Sequence, residues 1–321
     1  MKEIIFLMGL PRSGTTLLQR VLASHPEVAS IAEPWLLLPL ISCFDERMTS
    51  SVYGHYFLKQ ALTDFHLEYP AFQSEYDAHV RQFVTETYGK LSGNKKYFLD
   101  KTPRYYLIAE DLHRVFPESK FIYLLRNPLD VFDSTIETFC SDRLYKLAYC
   151  HTDLMHGLNL LCAPVAGGKP NIHSLTYEEF CAESETALRK ICDFLNVAYS
   201  PEMLQDFTKV AFTGKLGDPK RNRIQRVAKN ERHKALSIIR RHLYMRWIRN
   251  IKAESWAASG YSRTEVLTQL RARPMAGLWR QFDDVLGFVI FRITLFFGYK
   301  LILRFKKLRG TSSEDLNAFL C

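Results

Sequence analysis

Five consecutive residues near the start of the chain, Arg12, Ser13, Gly14, Thr15 and Thr16, combine a fixed cation, a glycine and three hydroxyls. That set suits a phosphate or sulfate ester: the guanidinium supplies fork-shaped donors and the hydroxyls supply more. The five stand inside FLMGLPRSGTTLLQRVL (6–22), where an apolar strand runs into a glycine loop and a helix follows. Backbone N–H groups at such a helix start converge on one spot, and the helix dipole favours an anion there. A nucleoside triphosphatase loop reads G-x-x-x-x-G-K-[ST], yet Thr15 stands at the lysine position. A lone glycine turn is often a plain strand–helix corner. Strand, PRSGTT and helix together favour an anion loop that works without that lysine.

A second set lies in FIYLLRNPLDVFDS, where Arg126 ends an apolar strand and Ser134 follows eight residues on, within a helix that Pro128 opens. A cation at the C-terminal edge of a parallel sheet faces the crevice where open α/β sheets bind ligands. Read alone, Arg126 equally suits the cap of a surface strand. Beside the glycine loop it suits a second phosphate, which Ser134 would share.

Together these stretches resemble the 3′-phosphoadenosine 5′-phosphosulfate (PAPS)-dependent sulfotransferases, over about residues 3–260. The resemblance implies that Arg12, Ser13, Gly14, Thr15 and Thr16 hold the 5′-phosphosulfate, and that Arg126 and Ser134 hold the 3′-phosphate. LDKTPRYYL resembles the strand end that supplies a lysine, here Lys101. LTYEEF followed by LRKICDFLNV resembles the segment that places Tyr177 near the nucleotide. GKLGDPKRN resembles the late loop over the 3′-phosphate, which implies Lys220 and Arg221, with Lys215 and Arg223 as further choices. The chain departs from the soluble members at that loop: Phe212-Thr213-Gly214 stands where they carry Arg-Lys-Gly. The catalytic histidine of the small-molecule branch also lacks a clear counterpart.

A base must then come from elsewhere. VASIAEPWLL puts Glu33 after a short strand pattern, where tyrosylprotein and many carbohydrate sulfotransferases carry a glutamate. A carboxylate among cations can take the proton of an acceptor hydroxyl as its oxygen attacks sulfur. The other reading of Glu33 is a cap on a helix beginning at Pro34-Trp35. His25 is a weaker base and reads better as a helix-end residue. Sulfuryl transfer asks for in-line alignment and cations around the charge that develops on the bridging oxygen, a task for Lys101 and Arg12. No metal is expected: the sulfuryl group carries less charge than a terminal phosphate, and no acid directly after a strand is set to hold magnesium.

The elements that must position these residues alternate. EIIFLMG, YFLD (97–100), KFIYLLR (120–126) and IHSLTY (172–177) read as strands. Helices are expected over 14–24, 105–116, from Pro128, and over 178–196. Repeated β-α units with apolar strands predict a three-layer α/β/α fold around a parallel sheet, the P-loop-like fold of the sulfotransferases. Residues 35–95 read as a helical insertion. The predicted organisation is a domain over 1–275 and a C-terminal helix with a short tail over 276–321.

Charge is uneven. The net charge is +9, and residues 209–252 hold fourteen Lys or Arg against two acids. That cluster suits a polyanion or an acidic surface; solvated helices are the plainer reading. In VLGFVIFRITLFFGYKLIL (285–303), Arg292 would cost about 2.5–3.5 kcal/mol at the centre of a membrane span. Arg292, Lys300, Arg304 and Lys307 fall within about 120° of a helical wheel, which favours a surface helix over a span. An ordinary packing helix or a homodimer contact is the alternative. Seven scattered cysteines without a CxxC pair, and an apolar start too short for a leader, point to a reducing cytoplasm.

The expected activity is sulfuryl transfer from PAPS to a hydroxyl or amine of a glycan, lipid or small molecule, releasing 3′,5′-ADP. An altered nucleotide kinase or NTPase is one alternative, and a basic membrane- or nucleic-acid-binding protein is another. The second lacks a nucleic-acid motif.

Overall fold

Ile4, Phe6 and Met8 of the first strand pack on one side and Ile5 and Leu7 on the other, and all five are buried. A strand buried on both faces needs a layer above and a layer below. The computed structural model, which describes residues 3–43, 55–212 and 234–307, has that arrangement. Strands β1 (Glu3–Met8), β2 (Val28–Ser30), β3 (Tyr97–Asp100), β4 (Lys120–Leu125) and β5 (Ile172–Thr176) form one parallel sheet in the order β2-β3-β1-β4-β5. The three-layer α/β/α expectation holds. Parallel strands put the loops after β1, β3, β4 and β5 along one edge of the sheet, where a site assembled from all four can form.

Helices follow local signals. Helix α1 (Thr15–Ala23) starts at Gly14, which takes the left-handed conformation at φ 95°. The insertion contains α2 (Phe72–Ser92), which buries Val80, Val84 and Tyr88 at helical spacing. Helix α3 (Pro128–Phe139) has proline in its first turn, and Asn127 accepts from the Leu129 N–H as its cap. The predicted helix over 105–116 is instead a 3-10 stretch (Pro103–Ile108) running into a short α-helix (Ala109–Val115). The predicted helix over 178–196 divides at Glu183 into α4 (Tyr177–Ala182) and α5 (Ser184–Leu195). A reciprocal Thr176–Glu179 capping box fixes where α4 begins.

Part of the basic stretch turns inward. In α6 (Ile238–Asn250), Arg240 is only 3% exposed. Its guanidinium forks onto Asp284 at 2.8 and 3.1 Å and donates to Asp142 at 2.7 Å. Asp284 belongs to the last helix, α7 (Leu278–Lys307), and is fully buried. Arg241 of α6 donates to the carbonyls of Leu270, Arg271 and Arg273, at the C-terminal end of the helix Arg263–Ala272. These two cations therefore hold elements together, and neither faces a polyanion.

Asp284→Ala removes one side of a buried pair, a change that costs about 3–5 kcal/mol. A loss near about 3 kcal/mol is expected here, since Asp142 still answers the guanidinium. Urea denaturation measures it, and a change below about 1 kcal/mol would deny the clasp a structural role.

Candidate active site

The glycine loop is held by backbone first. Arg12 adopts φ 74°, uncommon for a residue with a side chain, and Gly14 follows at φ 95°. A Cβ on Gly14 would lie 2.4 Å from the Tyr177 ring, so only glycine fits beneath that ring. Thr15 is buried, and its methyl packs where a Cβ on Gly9 would lie, at 2.5 Å. The residue in the lysine position thus fills the inside of the turn.

The ammonium comes from another strand. Lys101, one residue beyond β3 and 1% exposed, reaches the Thr16 hydroxyl at 3.4 Å and the Glu33 carboxylate at 2.6 Å. The second oxygen of Glu33 accepts from the Trp35 indole N–H at 3.1 Å. Trp35 is set in place by its own left-handed backbone (φ 54°) and by donation from its N–H to the Thr102 hydroxyl at 3.3 Å. The next helix begins only at Leu37, with Leu36 as its cap, so the capping role considered for Glu33 does not apply.

Around the other side of the loop, Arg12 Nε donates to Ser134 Oγ at 3.1 Å, and Arg126 donates to the Arg12 carbonyl at 3.0 Å. The Arg126 guanidinium lies over the Tyr177 ring at 4.5 Å. Its Nε is buried without a hydrogen-bond partner among the described residues. An unanswered guanidinium N–H inside a cluster of donors is what an anion would complete. Ser134 faces Arg12 directly, and Arg126 reaches the same loop through its backbone. Burial raises the Tyr177 phenol well above its ordinary value, so it stays neutral beside these cations.

The structure thus joins Arg12, Ser13, Gly14, Thr15, Thr16, Glu33, Lys101, Arg126, Ser134 and Tyr177 along one sheet edge. Lys215, Lys220, Arg221 and Arg223 lie outside the described residues. His25 sits at the opposite edge, before β2 begins; its ring bonds the Ala198 carbonyl at 2.8 Å and accepts from the Glu27 N–H at 3.1 Å. That is a structural role.

One residue escaped the sequence reading. Asp100 ends β3, beside β1, so an acid does close a strand next to the glycine loop. It does not face the loop. Its carboxyl group accepts from the hydroxyls of Tyr88 at 2.6 Å, Tyr105 at 2.9 Å and Thr102 at 3.2 Å, with Tyr88 and Tyr105 in the core on the far side of the sheet from α1. Desolvation pushes its pKa up to about 6 despite those hydrogen bonds. The only early sign was the D in YFLD, which reads as the polar end of a strand.

Residues 4–201 match the model of the sulfotransferase family, and the chain belongs to that family. It is 34% identical over 140 residues to the nodulation protein NoeE of Sinorhizobium fredii, covering 42% of this chain and 32% of that one. It is 27% identical over 210 residues to a putative protein-tyrosine sulfotransferase of Caenorhabditis briggsae, covering 63% of this chain and 69% of that one. The chain thus spans about a third of the nodulation protein's length. Among solved structures, the sulfotransferase domain of the Synechococcus PCC 7002 olefin synthase is similar, with a TM-score of 0.47 and 22% identity over 82% of this chain and 97% of that one.

Two outcomes follow from the loop and its neighbour. Gly14→Ala forces a side chain into the Tyr177 ring at a left-handed position and should lower stability by about 1–2 kcal/mol, read by urea denaturation. Unchanged stability would contradict the packing. The raised Asp100 pKa means that the fold binds the protonated carboxyl more strongly than the unfolded chain does. Its contribution is full below pH 4 and is lost as pH rises through about 6. Asp100→Asn should remove that part of the stability–pH slope, measured by denaturation at pH 4 and 7.

Proposed function

We propose that this chain transfers the sulfuryl group of PAPS to the hydroxyl of an acceptor and releases 3′,5′-ADP. The observation that carries the reading is the pairing of two cation sets at one glycine loop: Lys101 with Glu33 at Thr16, and Arg12 with Ser134 and Arg126 behind it. PAPS supplies an activated sulfuryl group on its 5′-phosphate and a second phosphate at the 3′ position. The loop amides, Ser13, Thr16 and Arg12 hold the 5′ end, and Arg126 and Ser134 hold the 3′ end. Tyr177 braces Arg126 from beneath. Lys220 and Arg221 of the late loop extend the 3′ site in the same proposal.

Glu33 accepts the proton as the acceptor oxygen bonds to sulfur. The bond from sulfur to the bridging oxygen breaks, and the charge gathering on that oxygen falls to Lys101, with Arg12 beside it. The Glu33–Lys101 contact serves both halves of the step. It keeps the carboxylate oriented before attack, and the ammonium is already next to the loop when charge develops. The Trp35 indole fixes the other carboxylate oxygen, so the pair cannot swing freely.

The acceptor proposed is a hydroxyl on a glycan, lipid or small molecule. Incubation with radiolabelled PAPS across acceptor classes tests the activity directly. Thermal-shift titration separates it from a nucleotide kinase: 3′,5′-ADP should stabilise the protein, and stabilisation by ATP–Mg²⁺ in its place would overturn the reading. Glu33→Gln should lower turnover by about 10²-fold or more while keeping 3′,5′-ADP affinity; full turnover would remove Glu33 as the base. Arg126→Ala should cost 3′,5′-ADP about 1.5–3 kcal/mol while sparing adenosine 5′-phosphosulfate, which lacks the 3′-phosphate. Equal losses for the two ligands would contradict that assignment.

A further inference from the structure

Helix α7 is apolar on two opposite faces. One face is spent on the domain: Asp284 and Phe291 are buried, and Gly287 lies against the 144–149 turn, where a Cβ would meet the Tyr145 backbone at 3.3 Å. The other face is largely exposed. Trp279, Phe282, Leu286, Val289, Ile293 and Phe296 recur at spacings of three and four, which puts them on one stripe. They are 88%, 66%, 50%, 48%, 49% and 52% exposed. The stripe runs about 26 Å at 1.5 Å per residue. A monomer in water rarely leaves so long an apolar strip uncovered.

Charge decides what covers it. From residue 285 to residue 313 the chain carries six cations (Arg292, Lys300, Arg304, Lys306, Lys307 and Arg309) and no acid. The two acids just before, Asp283 and Asp284, are already engaged by Arg143 and Arg240. A second copy laid in the same direction along the stripe would set the cations of 285–313 against one another with no acid in that stretch. An anionic bilayer surface answers both properties: acyl chains take the stripe, and acidic headgroups take the cations. Among the described residues no helix is long and apolar enough to cross a membrane, so the fit is to a helix lying in the interface.

We propose that α7 is a membrane-docking helix that lays its Trp279–Phe296 stripe into an anionic lipid surface. The turn on which it packs is tied to the active-site edge, since Arg104 donates to the Tyr149 carbonyl at 3.1 Å and lies three residues after Lys101. The inference does not rest on the sulfuryl-transfer reading.

The test is co-sedimentation of the full chain with vesicles of phosphatidylcholine alone or mixed with phosphatidylglycerol. Binding should be about tenfold stronger to the anionic vesicles and should weaken in high salt. The double substitution Trp279→Glu and Phe282→Glu should reduce it about tenfold while leaving the 3′,5′-ADP thermal shift or, failing such a shift, the melting temperature unchanged. Ile293→Glu, farther along the same stripe, gives the same reading should the double variant not fold. Vesicle binding that survives these substitutions would overturn the proposal. So would absence of vesicle binding together with a dimer, seen by analytical ultracentrifugation, that the same substitutions dissociate.

Discussion

Parallel pairing of β1 with both β3 and β4 is the constraint on which the site depends. Because the three strands run the same way in register, Phe6 sits opposite Asp100 and Met8 opposite Tyr123. The chain leaves each strand at a fixed offset from its neighbours. Lys101 then emerges beside the glycine loop from one side and Arg126 from the other. Neither cation could reach the loop from an antiparallel neighbour, whose chain would leave at the opposite edge. The core serves this arrangement: side chains alternate along β1 into two separate apolar layers, and register is held from both sides.

How much of this was legible depended on whether the signal was local. The strands were plain as apolar runs, and the start of α3 was plain from Asn127-Pro128. Gly14 could be marked for its loop, yet the reason that only glycine fits is the ring of Tyr177, far along the chain. The spacing of Arg126 and Ser134 does not show that both meet Arg12, the Ser134 hydroxyl at its Nε and the Arg126 guanidinium at its carbonyl. Trp35 read as one aromatic among many until its indole was found on Glu33. Asp100 was invisible as a buried acid, since nothing near YFLD shows that Tyr88 and Tyr105 converge on it. The break at Glu183, where the backbone leaves the helical region at φ −130° and ψ 58°, has no local mark in the sequence, since α4 and α5 bury residues in the same core.

The basic stretch shows the same limit for charge. By composition it looks like one surface, but Arg240 is a buried hub and Arg241 closes a helix end. Sequence counts cations without saying which of them already have carboxylates. The structure shows Arg240 and Arg241 holding elements together, while Arg126, outside that stretch, stands at the glycine loop.

In a nucleoside triphosphatase loop the lysine is rooted in the helix it precedes, so cation and phosphate amides shift together. Here the helix keeps Thr15 folded inside the turn, and the ammonium is carried by the neighbouring strand. The loop is thereby a two-part device, with its amides and its cation on separate supports. A change in the pitch of α1 need not displace the charge, and a change at the end of β3 can move the charge without deforming the nest of amides. The placement of the amides and the placement of the charge can thus be tuned independently.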